Sequence, residues 1–164
     1  MPTIEHHLEA ARPLATAWDV WSDVRRLPQL SSSTVEVREA PDRLTAVGQT
    51  FVQVAKAAGR TIEVTWTVVD LVPLDHLTIE STPTLGATVR ITEAVRAVGP
   101  ERTCLTLTID YRLPFGPLGR LASKVGLEKV AVREAHDVIQ GVARMVEAAD
   151  PVAATTVGAA GASG

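Results

Sequence analysis

Cysteine is almost absent: Cys104 stands alone in 164 residues, so no internal disulfide can form and no cysteine-based zinc site can be built. It lies in an alternating apolar/threonine run and reads as a plain sheet residue. Aromatic residues make up only 4% of the chain against 46% hydrophobic, which leaves an aliphatic core of Val, Leu, Ile and Ala. Neither sign of charge dominates. The formal net charge is -3 and no basic cluster exceeds the pair Arg25-Arg26. With few rings to stack on bases and no patch to displace counterions, nucleic acid is not an expected partner. No apolar run approaches the roughly 20 residues of a membrane span. The start, Met1 to His7, lacks the basic and apolar segments of a signal peptide. The expectation is a soluble, cytoplasmic chain of a length that suits one domain.

What is present is a pattern that changes period twice. Thr3 to Ala10 sets Ile4, His6 and Leu8 against Glu5, His7 and Glu9, the alternation of a half-buried strand. Pro13 then suits a first helical turn. Leu14, Ala17, Trp18, Trp21 and Val24 follow at spacings of three and four, predicting a short amphipathic helix that ends at Pro28, with a further turn over Leu27 to Leu30. From Thr34 the period is two. Strands are predicted around Val35 and Val37, over Gly48 to Lys56 and Arg60 to Asp70 as a hairpin, and over His76 to Ser81, Ala87 to Val95 and Thr103 to Tyr111. Short strands without helices between them predict an antiparallel meander. The third strand leaves two registers open. A two-residue turn would aim Phe51 and Gln53 inward, and a three-residue turn Val52 and Val54.

After the Pro/Gly-rich connection Leu113 to Gly119 the period returns to 3.6. Ala131, Ala135, Val138, Val142, Met145 and Ala149 make one buried face of a long helix expected from about Pro117 to Ala149. Gly141 weakens that helix by about 1 kcal/mol relative to Ala, and close packing accounts for it better than space for a ligand. Beyond Asp150-Pro151 the composition turns to Ala, Gly, Thr and Ser without periodicity. The division is therefore a domain over residues 1–150 and a disordered tail over 151–164.

The run Ala11-Arg12-Pro13 … Ala17-Trp18-Asp19-Val20-Trp21-Ser22-Asp23-Val24 … Pro28 resembles the helix entry of the SRPBCC superfamily. That group includes START domains, the birch-pollen-allergen fold and polyketide cyclases. Val47-Gly48-Gln49-Thr50-Phe51 resembles its third strand, and Trp66 to Asp70 with Pro73 and Leu77 its fourth and fifth. The approach Leu113 to Gly119 and the helix end Arg144-Met145-Val146-Glu147 complete the likeness, which spans Thr3 to Ala149. The chain departs at Leu30, where many members carry an aromatic. The resemblance implies an α+β helix-grip (START-like) fold: six to seven antiparallel strands curved around a long C-terminal helix, with two short helices after the first strand. A cone-shaped NTF2-like domain, the rival, puts its long helices ahead of the sheet.

A curved sheet cannot touch a straight helix along its whole length, so the implied fold leaves a gap lined by inward residues. The expected lining is Trp66, Leu77, Ile79, Val89, Ile91, Leu107, Ile109 and Tyr111 from the strands, with Val138 and Val142 from the helix. No HExxH, GxSxG, phosphate-binding loop or Cys/His zinc spacing occurs, so no metal and no cofactor is expected. His6, on the face of Ile4 and Leu8, is a candidate general base or hydrogen-bonding group, or else a structural histidine. Tyr111 is a candidate for holding a ligand oxygen, or else a core-edge tyrosine. His7 and His76 are expected at the surface, and Trp18 and Trp21 as packing residues. Two functions remain open. One is the binding or carriage of a lipid, isoprenoid or polyketide-like molecule by a monomer or homodimer. The other is a cyclase, aromatase or dehydratase working in the same cavity, which would need a paired inward acid and base. A partner-binding domain with a filled core is a third reading, since fold does not fix function.

Overall fold

The computed structural model describes residues 3–57, 59–83, 86–112 and 127–150. Strand β1 (Thr3–Ala10) is followed by helix α1 (Leu14–Trp21), a 3-10 turn (Val24–Arg26) and the short helix α2 (Leu27–Leu30). Six strands come next: β2 (Thr34–Arg38), β3 (Thr50–Ala57), β4 (Arg60–Val72), β5 (His76–Ser81), β6 (Thr88–Gly99) and β7 (Arg102–Arg112). Helix α3 (Leu127–Ala148) comes after them. The seven strands form one sheet in the order β1-β7-β6-β5-β4-β3-β2, and each neighbouring pair is antiparallel. The meander thus brings its last strand back beside the first.

The first helix is shorter than its apolar spacing predicts. Pro13 caps α1 from outside rather than opening it, and the helix stops at Trp21. Asp23 is the reason: its carboxylate accepts a hydrogen bond from the Arg25 N–H at 3.2 Å, which starts a new turn and takes Val24 off the helical path. Pro28 does not end a helix but stands in the first turn of α2, where its missing N–H costs nothing.

The hairpin settles the register of β3. Ala57 pairs with Arg60, so the turn has two residues, and Gly59 supplies the positive φ, +75°, that such a turn demands. Phe51 therefore pairs with Trp66 and Gln53 with Val64; of the two registers, this is the one that aims Phe51 and Gln53 inward.

Helix α3 buries Ala135, Ile139, Val142, Ala143 and Val146, close to the stripe that the sequence predicts. Each large aliphatic contributes about 1.5–3 kcal/mol by leaving water. The helix lies over the β1 and β7 side of the sheet, where this stripe packs with Ala10, Leu105 and Leu107 and with Ala17, Val20 and Trp21 of α1. A second cluster, Val24, Leu44, Phe51, Trp66, Val68, Leu77 and Ile79, fills the β3–β5 side. Trp18 and Ile91 touch both. Gly141 is a packing position: a Cβ there would stand 3.2 Å from the Leu30 carbonyl oxygen and 3.3 Å from its Cα. The bare glycine lets α2 lie against α3. The expected helix start at Pro117, the connection Leu113 to Gly119 and the tail over 151–164 lie outside the described residues.

Candidate functional site

In an antiparallel sheet, directly paired residues project from the same face, so the registers sort the inner face into rows. One row runs Ile4, Ile109, Ile91, Ile79, Val68. The next runs His6, Leu107, Glu93, Leu77, Leu71. On the other side Tyr111 pairs with Val89, and Ser81 with Trp66; the Ser81 hydroxyl accepts from the Val89 N–H at 2.9 Å. All eight strand residues expected to line a cavity therefore share one face. Val138 and Val142 of α3 pack against the same core.

Burial divides them. Leu77, Ile79, Trp66, Leu107 and Val142 are buried, and Leu107 and Val142 belong to one close-packed cluster. Val89, Ile91, Ile109, Tyr111 and Val138 are only half-buried. Four of these five lie on β6 and β7, the inner strands of the sheet, and all four on the face that carries the core.

The polar groups of this face differ sharply in how they are satisfied. Trp66 donates its indole N–H to Gln53 Oε1 at 2.8 Å, and the Gln53 amide donates to Thr34 Oγ1 at 2.7 Å. Thr34 donates to Ser31 Oγ at 3.0 Å, and Ser31 in turn donates to the Glu134 carboxylate of α3. Ser33 reaches the same carboxylate oxygen at 2.7 Å. This chain ties the β2–β3 edge to α3 and engages both the oxygen and the nitrogen of the Gln53 amide.

Three other polar atoms end without partners. Among the described residues the buried side-chain atoms lacking a hydrogen bond are His6 Nε2, Trp21 Nε1 and Glu93 Oε2. Orphaned buried groups cost about 1–3 kcal/mol each, and native structures keep few of them. Glu93 follows Val89 and Ile91 and precedes Val95 on the inward parity of β6, so its carboxyl sits in an aliphatic wall. Burial there pushes its pKa up to about 8, because an apolar wall disfavours the charged form. The Trp21 indole N–H neighbours this carboxyl and offsets part of the rise, yet neither Trp21 Nε1 nor Glu93 Oε2 completes a hydrogen bond. The His6 ring meets the His136 ring of α3 edge-on, centroids 5.9 Å apart at 71°.

The structure thus places His6 inward. It also adds Glu93, which the sequence reading missed although the run Val89, Ile91, Glu93, Val95 displays an acid on the buried parity. Trp21 does pack in the core as expected, but it brings an unsatisfied donor with it. His7 is at the surface, its Nε2 2.8 Å from Glu5. His76 is less exposed than its position after a turn suggests. It lies between Asp75 at 2.7 Å and Asp70 at 3.0 Å, whose hydrogen bonds raise its pKa. No group of three or more His, Cys, Asp or Glu among the described residues is placed to hold a metal ion. No described helix is long and apolar enough to cross a membrane.

Outside this face, Asp23 is 8% exposed and lies among Arg25, Arg26 and Arg43 at 2.9–3.1 Å. Burial pushes its carboxyl up, but hydrogen bonds from Arg25 and Arg26 and the charges of Arg43 and Arg25 outweigh this and hold it below the usual aspartate range.

Solved structures share this architecture. The Zhui aromatase/cyclase from Streptomyces sp. R1128 superposes with a TM-score of 0.74 at 20% identity, covering 89% of this chain and 93% of that one. Norcoclaurine synthase from Thalictrum flavum gives 0.70 at 15% identity over 92% and 89%. A START superfamily protein from Mycobacterium smegmatis gives 0.65 at 14% over 89% and 97%. At such identities the likeness establishes the helix-grip fold. No curated protein matches the sequence. Residues 1–147 do match the family described as polyketide cyclase / dehydrase and lipid transport, and with the sheet, the gripped helix and the order of elements in agreement, the chain belongs to that family.

Proposed function

We propose that the chain binds an apolar small molecule, lipid-, isoprenoid- or polyketide-like, between the inner face of the sheet and α3. The observation that supports this best is the half-burial of Val89, Ile91, Ile109 and Tyr111 on the core face of inner strands. In a filled core such positions are as buried as Leu107. Trp66, Leu77 and Ile79 extend the apolar wall and Val138 faces it from the helix, while Leu107 and Val142 form its packed base. Apolar walls with few polar groups are the usual design of small-molecule sites. Native mass spectrometry of protein isolated from its own host tests the reading: a retained apolar adduct supports it. A thermal-shift panel of lipids and polyketides in which nothing stabilises the protein counts against it.

A second reading is supported by one specific feature. Glu93 and His6 are an acid and a base on the same inner face, one on each side of Leu107. That is the pairing that a cyclase or dehydratase working on the bound molecule requires. Under this reading His6→Gln abolishes turnover of an added polyketide-like substrate and leaves its binding intact. Under the carrier reading the two proteins behave alike.

A further inference from the structure

We propose that Glu93 and Trp21 form an oxygen site in the inner wall that takes the carbonyl group of an apolar guest, with His6 as the third polar group of the same face. The assignment rests on the apolar-binding reading and adds the chemistry of the guest. Glu93 Oε2, Trp21 Nε1 and His6 Nε2 are buried without partners, and they come from β6, α1 and β1, three elements that the fold must bring together. Trp21 is packed in the core cluster, so its indole is held in place and not free to turn toward water.

The donors select the guest. An indole N–H only donates. The Glu93 carboxyl, pushed up to about 8 by burial, keeps its proton at neutral pH and donates as well. The carboxyl's other oxygen can also accept, and the indole N–H lies on that carboxyl's side. With no hydrogen bond closed between them, both donors are best completed by an acceptor with two lone pairs, which a carbonyl oxygen offers without a proton of its own to place. An ammonium has no lone pair to give. A carboxylate would be a second acid beside Glu93 in an aliphatic wall, at the full cost of burying a charge. A hydrocarbon leaves all three atoms unsatisfied. A bound water is the competing occupant, and it makes no distinction between guests.

Matched pairs that differ in one oxygen test this: 2-acetylnaphthalene against 2-ethylnaphthalene, and 9-fluorenone against fluorene, titrated into the full chain by calorimetry. The expected result is a ketone bound about tenfold more tightly than its hydrocarbon partner, from two neutral hydrogen bonds in place of none. Glu93→Leu and Trp21→Phe should each lower ketone affinity severalfold while the hydrocarbon affinity stays put, which doubles as proof that the variant is folded. Glu93→Gln keeps a donor and should keep most of the preference. Equal binding of both members of each pair to the unmodified protein overturns the carbonyl site and leaves the apolar-binding reading standing. Loss of both guests in parallel in the variants also overturns it, since the residues then act only through packing. If neither member of either pair binds, both readings fall.

Discussion

His6 on β1 and Glu93 on β6 lie opposite the same residue, Leu107 of β7, one on each side. Two strand spacings put their backbones about 10 Å apart on one face. That separation explains why the histidine does not hold the glutamate as its carboxylate.

Glu93 makes stability depend on pH in a direction unusual for a carboxyl. Its folded pKa, about 8, lies above the ordinary 4.5, so between these values the unfolded chain gives up a proton that the folded chain retains. Stability should therefore fall as the pH rises from about 4.5 to about 8 and level off beyond. Urea unfolding midpoints measured at pH 5, 6.5 and 8 check this. Glu93→Gln should flatten the slope and gain on the order of 1 kcal/mol or more over the unmodified protein at pH 8.

Asp23 predicts the opposite limb. Its lowered folded pKa means that its contribution is present above the ordinary aspartate pKa near 3.8 and is lost as the pH falls through the folded value. Asp23→Ala removes the buried carboxylate shared by Arg25, Arg26 and Arg43, leaving Arg25 with Asp42 and Arg43 with Asp19, and removes the cap of the turn that follows α1. A loss of about 2–4 kcal/mol is expected by chemical denaturation, with Asp23→Asn in between.

Gln53→Leu breaks the hydrogen-bond chain in its middle. The buried Trp66 loses its acceptor and Thr34 its donor, and a cost of about 1–3 kcal/mol follows from leaving the indole N–H unpaired. Since Gln53 has no other role here, affinity for an apolar probe measured in the folded protein should change little. A large loss of binding with unchanged stability would move Gln53 into the site.

Gly141→Ala tests the contact between α2 and α3. Helix propensity favours alanine by about 1 kcal/mol, but its Cβ would press on the Leu30 backbone at 3.2–3.3 Å. The two should nearly cancel, giving a melting temperature within a few degrees of the parent. Gly141→Val adds two methyls against the same backbone and should cost about 2 kcal/mol or more.

Much of this molecule is written in local pattern. Alternation at period two, the break near Gly116 and the 3.6 stripe from Ala131 to Ala149 determine the strands, the last helix and the parity of each residue, because these follow from backbone geometry alone. Even the inward position of Glu93 is legible in the run from Val89 to Val95. The early end of α1 is less so, since it depends on which N–H the Asp23 side chain finds. Only the assembled sheet could decide that Gln53 is satisfied and Glu93 is not. Gln53 meets Trp66 across a strand pair and Thr34 across another, whereas Glu93 has Leu107 and Leu77 as its neighbours in register. Parity is a property of one strand; a hydrogen-bond partner can come from an element more than a hundred residues away, and it is the missing partner that turns a buried acid into a candidate site.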